Sequence, residues 1–237
     1  MIEEILPAWV ACSESFGDPP DEVLFPEDEA LVAAAVVSRR REFAAARGCA
    51  RRALATLGVE TGSILRGDRG APQWPPGIVG SITHCAGYRA AAVGRSRDAL
   101  SIGLDAEPNE VLPDGVLEMV SLPAERARLA DLAAAAPGIC WDRLLFSAKE
   151  TVYKTWFPLA RRWLGFEDAD VTVNVTEGSF EVQLLVAALT MGGRPLSRFT
   201  GRWLVRDGLI LTAIALPACS AMPPQLMEEI VDNEQLA

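Results

Sequence analysis

Between residues 141 and 157, Trp141, Leu145, Ala148, Val152 and Trp156 recur at helical spacing. This stretch is predicted as a long helix with one stripe to bury, its end limited by Pro158. The chain beyond it has a different period. Residues 171–175, 180–186, 199–205 and 209–215 are strand-like runs, and Asp207-Gly208 between the last two is a hairpin signal. Upstream, Leu100, Ile102 and Leu104 alternate with Ser101, Gly103 and Asp105, the period of a strand buried on one face, which sets Asp105 and Glu107 together on the other. Helices and strands interleave without a βαβ rhythm. The expected fold class is therefore α+β, with mainly antiparallel sheets.

The N-terminal part is organised by charge. Residues 1–30 hold nine carboxylates and no base, and are read as irregular surface chain to about Glu29; residues 31–70 hold eight arginines against three acids. A helix is predicted over 26–57, closed by Gly58. The glycines and prolines of 61–77 predict a loop, and the apolar runs 78–82 and 90–93 predict two strands flanking a polar connection, residues 83–88. Residues 114–132 read as two short helices, the second starting at Pro123. A break near 95–99 divides the 237-residue chain into an N-terminal lobe, 1–99, and a C-terminal lobe, 100–216, with a frayed acidic tail over 217–237.

Composition narrows the partners. With 22 basic against 32 acidic residues the net charge is −10, the wrong balance for binding nucleic acid. No stretch of ~18 uncharged apolar residues suggests a membrane span, and Glu3 and Glu4 stand where a signal peptide would be basic, so a cytoplasmic protein is expected. Five dispersed cysteines (Cys12, Cys49, Cys85, Cys140, Cys219) form no metal or redox motif and are expected to be reduced.

Four groups of residues carry possible chemistry. Asp105 and Glu107, at i and i+2, would repel unless a proton or a hard cation such as Mg²⁺ intervened, although so short a motif taken alone reads more readily as a solvated strand end. Glu150 and Lys154 lie one turn apart on the long helix, away from its apolar stripe, with Lys149 adjacent. Such a pair is ordinary on a surface, but 20 of the 22 basic residues are arginine and Lys149 and Lys154 are the only lysines, which suggests positions needing a compact ammonium. Arg39 and Arg47 project within roughly 80° of each other and about 12 Å apart along one helix, able to grip an extended polyanion or simply to form a solvated face. His84, the only histidine, follows hydroxyl residues at a strand end. It suits a phosphate concavity or a structural role.

Taken together, Gly80-Ser81-Ile82-Thr83-His84, Gly103-Leu104-Asp105-Ala106-Glu107 and Phe146-Ser147-Ala148-Lys149-Glu150-Thr151-Val152-Tyr153-Lys154 resemble the ordered motifs of the 4′-phosphopantetheinyl transferases. Arg47-Gly48-Cys49-Ala50-Arg51 and Trp163-Leu164-Gly165-Phe166-Glu167-Asp168 resemble the monomeric two-lobed actinobacterial type, which activates fatty-acid, polyketide and nonribosomal peptide synthases. The resemblance implies two similar α/β lobes in a pseudo-twofold arrangement, with the active site in the cleft between them. It implies transfer of the phosphopantetheine arm of coenzyme A to a serine of an apo acyl or peptidyl carrier protein, releasing 3′,5′-ADP. Mg²⁺, with Mn²⁺ as a substitute, would be held by Asp105, Glu107 and Glu150.

By the same resemblance Glu150 is the general base, directly or through a water, Lys149 and Lys154 contact the diphosphate, and Lys154 protonates or electrostatically stabilises the leaving group. Arg39, Arg47 and His84 bind the 3′-phosphate, with Arg66 and Thr83 near the adenosine end. Trp163 lines the pantetheine tunnel, or else is a core tryptophan. Three positions depart from the family pattern: Ala106 offers no metal ligand, Thr151 stands where alanine is usual, and Arg66 where near relatives carry lysine. Two other readings use the same residues: a Mg²⁺-dependent coenzyme A diphosphate hydrolase, and a noncatalytic module binding coenzyme A or a carrier protein.

Overall fold

The computed structural model describes residues 1–19, 21–191 and 194–218. The acidic opening is not irregular surface chain. It forms a 3₁₀ turn, Ile2–Ile5, and strand β1 (Ala11–Phe16), because Ile2, Ile5 and Val10 are buried in a core. The charge of Glu14 is absorbed there by hydrogen bonds from the Tyr88 hydroxyl at 2.6 Å and the Ile2 amide at 3.1 Å.

The single helix expected over 26–57 is two, α1 (Pro26–Leu31) and α2 (Val37–Thr56). Nothing local marks the break, since α2 starts after Val36 with no side-chain cap. Its cause is tertiary. Asp28 of α1 is fully buried and its carboxylate lies 3.5 Å from the Arg51 guanidinium of α2; in one straight helix the two would be roughly 35 Å apart.

Strands β2 (Ile78–Cys85) and β3 (Tyr88–Arg95) form a hairpin, closed at Ala86-Gly87 with Gly87 at φ 75°. The connection predicted at 83–88 therefore shrinks to a tight turn. Thr83 and His84 are ladder residues opposite Ala90 and Arg89. The antiparallel sheet β1-β3-β2 is covered by α2, which packs Cys49, Ala50, Ala53 and Leu54 against Ala91 and Val93.

The remaining elements are β4 (Ala99–Pro108), α3 (Val116–Val120), α4 (Pro123–Ala135), α5 (Trp141–Ala160), β5 (Ala169–Asn174), β6 (Ser179–Leu184), β7 (Leu189–Met191), β8 (Arg194–Leu196), β9 (Arg198–Arg206) and β10 (Leu209–Pro217). The antiparallel order is β4-β10-β9-β6-β5, with β7-β8 a separate ribbon. The β9–β10 turn holds Asp207 and Gly208 at φ 51° and 76°, both positive as a tight hairpin requires. Pro158 does not limit α5. It sits inside the last turn, where its missing amide removes one bond, and the helix ends at left-handed Arg161. The five helices and three antiparallel sheets of the described residues make the mixed α and β fold that the sequence predicts.

Strand β4 is buried on both faces, not one. Ser101, Gly103 and Asp105 face α5 instead of water: Ser101 Oγ donates to the Thr155 carbonyl at 2.8 Å. A Cβ at Gly103 would overlap Thr155 Oγ1 and the Thr151 carbonyl, so glycine sets how closely helix and strand approach. On its free edge β4 meets β2 without backbone pairing. The hydroxyls of Ser81 and Thr83 accept the amides of Leu104 and Ala106 at 3.1 and 3.0 Å, satisfying groups that burial would otherwise orphan. One core beneath this seam joins Tyr88, Ala90 and Ala92 to Ile102, Leu104 and Leu211.

Of the cysteines, Cys12, Cys49, Cys85 and Cys140 are free thiols, while Cys219 and all but the first two residues of the expected tail lie outside the described residues. Pro217, read as the start of that tail, closes β10. No described helix is long and apolar enough to cross a membrane.

Candidate active site

At ~100° per residue, Arg143, Ser147, Glu150 and Lys154 share one narrow face of α5, opposite its apolar stripe. This face meets β4 at Asp105, which is buried. Asp105 Oδ1 accepts from Lys154 Nζ at 2.7 Å and Thr83 Oγ1 at 3.3 Å, and Oδ2 accepts from Ser147 Oγ at 2.9 Å. Lys154 also donates to the Leu104 carbonyl at 3.1 Å. Ser147 Oγ is in turn 2.8 Å from Thr212 Oγ1 on β10. Glu107, two residues along the strand, pairs with Arg143 at 3.0 Å. Lys154 is thus drawn to Asp105 and forms no ion pair with Glu150.

Burial governs the electrostatics. Glu150 accepts no hydrogen bond from any described residue; burial, reinforced by the charge of Asp105 and opposed by Lys154, raises its carboxyl above the usual range. Glu107 is likewise raised, by burial and then by Asp105, against the pull of Arg143. Among the described residues no three histidine, cysteine, aspartate or glutamate side chains converge into a closed metal cage. Asp105 and Glu107 nevertheless supply hard oxygen donors from one strand face. That donor set fits a cation such as Mg²⁺, which takes one or two carboxylates and completes its shell with phosphate oxygens and water.

To one side lies an arginine-lined cleft of about 100 Å³, formed with Arg39, Phe43, Arg47, Arg66, Ile82 and His84. Arg47 is 5% exposed, and its Nε has no hydrogen-bond partner among the described residues. Burial, offset by Asp28 and reinforced by Arg66, Arg51 and Arg39, brings its pKa down to about 10. The Arg47 and Arg66 guanidiniums both lie over the Phe43 ring, at 4.4 and 5.1 Å. Several like charges crowd one cleft, a cost that a bound polyanion would relieve. His84 Nδ1 lies 3.0 Å from Glu42 Oε1, and Arg39 reaches His84 Nε2 at 3.1 Å and also pairs with Glu42. Burial lowers the His84 pKa; Glu42 opposes this, and Arg39, Lys154 and Arg89 add to it.

On the other side is a slot of about 140 Å³, with Glu150 on its wall beside Tyr153, Trp163, Leu164 and Phe166. Trp163 is no core residue: it is 61% exposed, its ring 5.1 Å from Tyr153, with the Arg69 guanidinium 5.2 Å above it. The Tyr153 hydroxyl is buried without a hydrogen-bond partner among the described residues. The Lys149 side chain also borders the slot, yet its ammonium turns away, to Glu125 at 2.8 Å and to the carbonyls of Phe166 and Ala169 at 2.6 and 2.9 Å.

The structure therefore gathers Arg39, Arg47, Arg66 and His84 around one cleft, sets Asp105, Glu107, Glu150 and Lys154 beside it, and places Trp163 at the far slot. It keeps the Lys149 ammonium and the Thr83 hydroxyl out of these surfaces, because each is spent on internal partners. Sequence reasoning missed Arg143 and Ser147, although 143, 147, 150 and 154 recur at helical spacing. It also missed Glu42, Glu125 and Arg69, whose roles depend on contacts across the fold.

The chain is similar to known proteins of one family. Residues 27–94 match the family model of the 4′-phosphopantetheinyl transferase N-terminal domain, and residues 101–191 that of the 4′-phosphopantetheinyl transferase superfamily. Three curated relatives are similar over nearly their whole length. The 4′-phosphopantetheinyl transferase Svp of Streptomyces mobaraensis is 54% identical over 92% of this chain and 90% of its own. Npt of Nocardia iowensis is 52% identical over 91% and 99%, and PptT of Mycobacterium tuberculosis 50% identical over 91% and 98%. With matches to both family models and half of all residues shared across so much of the length, the chain belongs to the 4′-phosphopantetheinyl transferase superfamily.

Proposed function

We propose that this protein transfers the 4′-phosphopantetheine arm of coenzyme A to a serine of an apo acyl or peptidyl carrier protein and releases 3′,5′-ADP. One observation carries the reading: an arginine cleft and an aromatic slot adjoin a cluster of carboxylates and one lysine, with Thr83, next to His84 of the cleft, bonded to Asp105, and Glu150 on the slot wall. Coenzyme A has the same sequence of chemistries: a phosphorylated nucleotide, a diphosphate and a thin, largely apolar arm.

In this reading Arg39, Arg47 and His84 hold the 3′-phosphate and Arg66 the adenosine end, while Trp163 and Tyr153 line the arm's path. Asp105, Glu107 and Glu150 would hold Mg²⁺ with the diphosphate, and the ion would neutralise charge there. Glu150 accepts the proton of the attacking serine. Its raised pKa favours that task, since a base works best when its pKa approaches the operating pH. The serine oxygen forms a bond to the phosphorus that carries the arm, the bond from that phosphorus to the bridging oxygen breaks, and Lys154 stabilises the charge left on 3′,5′-ADP. Thr83 and Ser147 touch no substrate; they fix Asp105. Lobes 1–99 and 100–216, a monomeric state and a cytoplasmic setting belong to the same reading.

Intact mass of an apo carrier protein, incubated with this protein, coenzyme A and Mg²⁺, tests the proposal. A gain of one phosphopantetheine arm, lost with EDTA and with Glu150→Gln, is expected. Cleavage of coenzyme A without that gain would replace it with the hydrolase reading, and binding without turnover with the noncatalytic one.

A further inference from the structure

Lys149 stands next to Glu150, yet its ammonium does not share Glu150's surroundings. On the helical wheel it falls about 100° from Glu150 and only about 40° from Leu145, on the apolar side of α5. An ammonium has three N–H donors. Three oxygens receive them: Phe166 O at 2.6 Å, Ala169 O at 2.9 Å and the Glu125 carboxylate at 2.8 Å. None is left for a phosphate. Lys149 is 3% exposed and Glu125 1%, so the pair is sealed from water as well as saturated.

The partners come from three elements. Glu125 belongs to α4, and its two oxygens also accept the amides of Leu122 at 2.7 Å and Val171 at 2.8 Å. Phe166 lies in the 3₁₀ turn Phe166–Asp168, and Ala169 opens β5. One ammonium thus ties α4, α5 and the 164–171 segment at a single point. That segment forms the slot wall through Leu164, Gly165 and Phe166.

We propose that Lys149 is a positioning residue, which sets the slot wall that receives the arm of coenzyme A and makes no contact with the diphosphate. The inference rests on the transferase reading for the identity of the ligand. Removing Lys149 leaves the Glu125 carboxylate buried and unpaired, and releases two carbonyls of the wall. Removing both charges removes the conflict.

The test uses the full chain with Lys149→Met, Glu125→Gln and the double substitution, read by calorimetry with coenzyme A, by steady-state transfer to a carrier protein and by amide exchange. For Lys149→Met the expected result is a rise of about tenfold in KM and Kd for coenzyme A, with the carrier KM within about twofold. Amides of 164–171 should exchange faster, and the double variant should recover several-fold over Lys149→Met. Glu125→Gln alone should weaken coenzyme A binding as well, and decides the matter if Lys149→Met fails to fold. Unchanged or tighter binding in Glu125→Gln would overturn the proposal, as would a double variant no better than Lys149→Met. A loss confined to kcat, with KM for coenzyme A unchanged, would reduce Lys149 to general stability and overturn it too. If the wild type modifies no carrier, the transferase reading fails, whereas calorimetry and exchange still decide the role of Lys149.

Discussion

Under the proposed reading, Glu150 and His84 are the two residues whose protonation bears most directly on turnover and coenzyme A binding. Burial raises Glu150, and its basic form grows as pH rises through that pKa. The acid limb of kcat/KM for coenzyme A, which reports the free protein, should therefore lie above the ordinary carboxylate range of about 4.3. Glu150→Gln should remove that limb and lower kcat by about 10²-fold or more, while coenzyme A still binds in calorimetry. His84 shows the opposite displacement: burial, with nearby cations, lowers its pKa in the free protein. A phosphate dianion against the ring would raise it, so binding of coenzyme A near neutral pH should take up a fraction of a proton. Titrations in two buffers of different ionisation enthalpy measure this. The uptake should disappear with His84→Gln, and shrink for a ligand lacking the 3′-phosphate. Both residues stood out in the sequence because histidine and lysine are scarce in it; Glu42, which orients His84, did not, since one glutamate in an arginine-rich helix is indistinguishable from a solvated one.

At the scale of elements, the site depends on how closely α5 lies on β4 and how β4 meets β2. Gly103→Ala places a methyl group against the Thr151 carbonyl and Thr155 Oγ1. Backbone cannot yield as a flexible side chain does, so a loss of about 1–3 kcal/mol is expected, read as a fall in Tm of about 2–4 °C for each kcal/mol. Thr83→Val keeps the shape but leaves the buried Ala106 amide without its acceptor and Asp105 without one donor. It should destabilise by about 1–3 kcal/mol and also lower turnover, because Asp105 loses its fixed orientation; unchanged kcat at equal folded fraction would contradict that role. The elements themselves were largely legible from periodicity. The break between α1 and α2 was not, because it has no cap or glycine and exists only to bring Asp28 to Arg51.

For the whole molecule, the seam between β2 and β4 implies one cooperative unit. The hydroxyl bonds of Ser81 and Thr83 cross it, and the core below mixes residues 2–92 with residues 99–213. Calorimetric unfolding should show a single transition whose van't Hoff and calorimetric enthalpies agree, and residues 1–98 expressed alone should lack cooperative unfolding. Two separated transitions would show that the halves fold independently. Because the arginine-lined cleft belongs to one half while Asp105, Glu150 and Lys154 come from the other, coenzyme A binding should be lost in the same transition as the secondary structure.

The sequence by itself determined the α and β class, the helix that carries Glu150 and Lys154, the strand that carries Asp105 and Glu107, and the arginines that line the cleft. These rest on local periodicity and on residues whose chemistry is unusual for this chain. Only the tertiary structure decided that Lys149 is saturated by Glu125 and two carbonyls, that Thr83 braces Asp105, that Trp163 stands exposed at the slot, and that the acidic opening is a strand. Each of these outcomes rests on which distant groups meet when the halves pack. A side chain's neighbours in sequence report which face it takes, whereas its hydrogen-bond partners, and hence its role, are set by contacts tens of residues away.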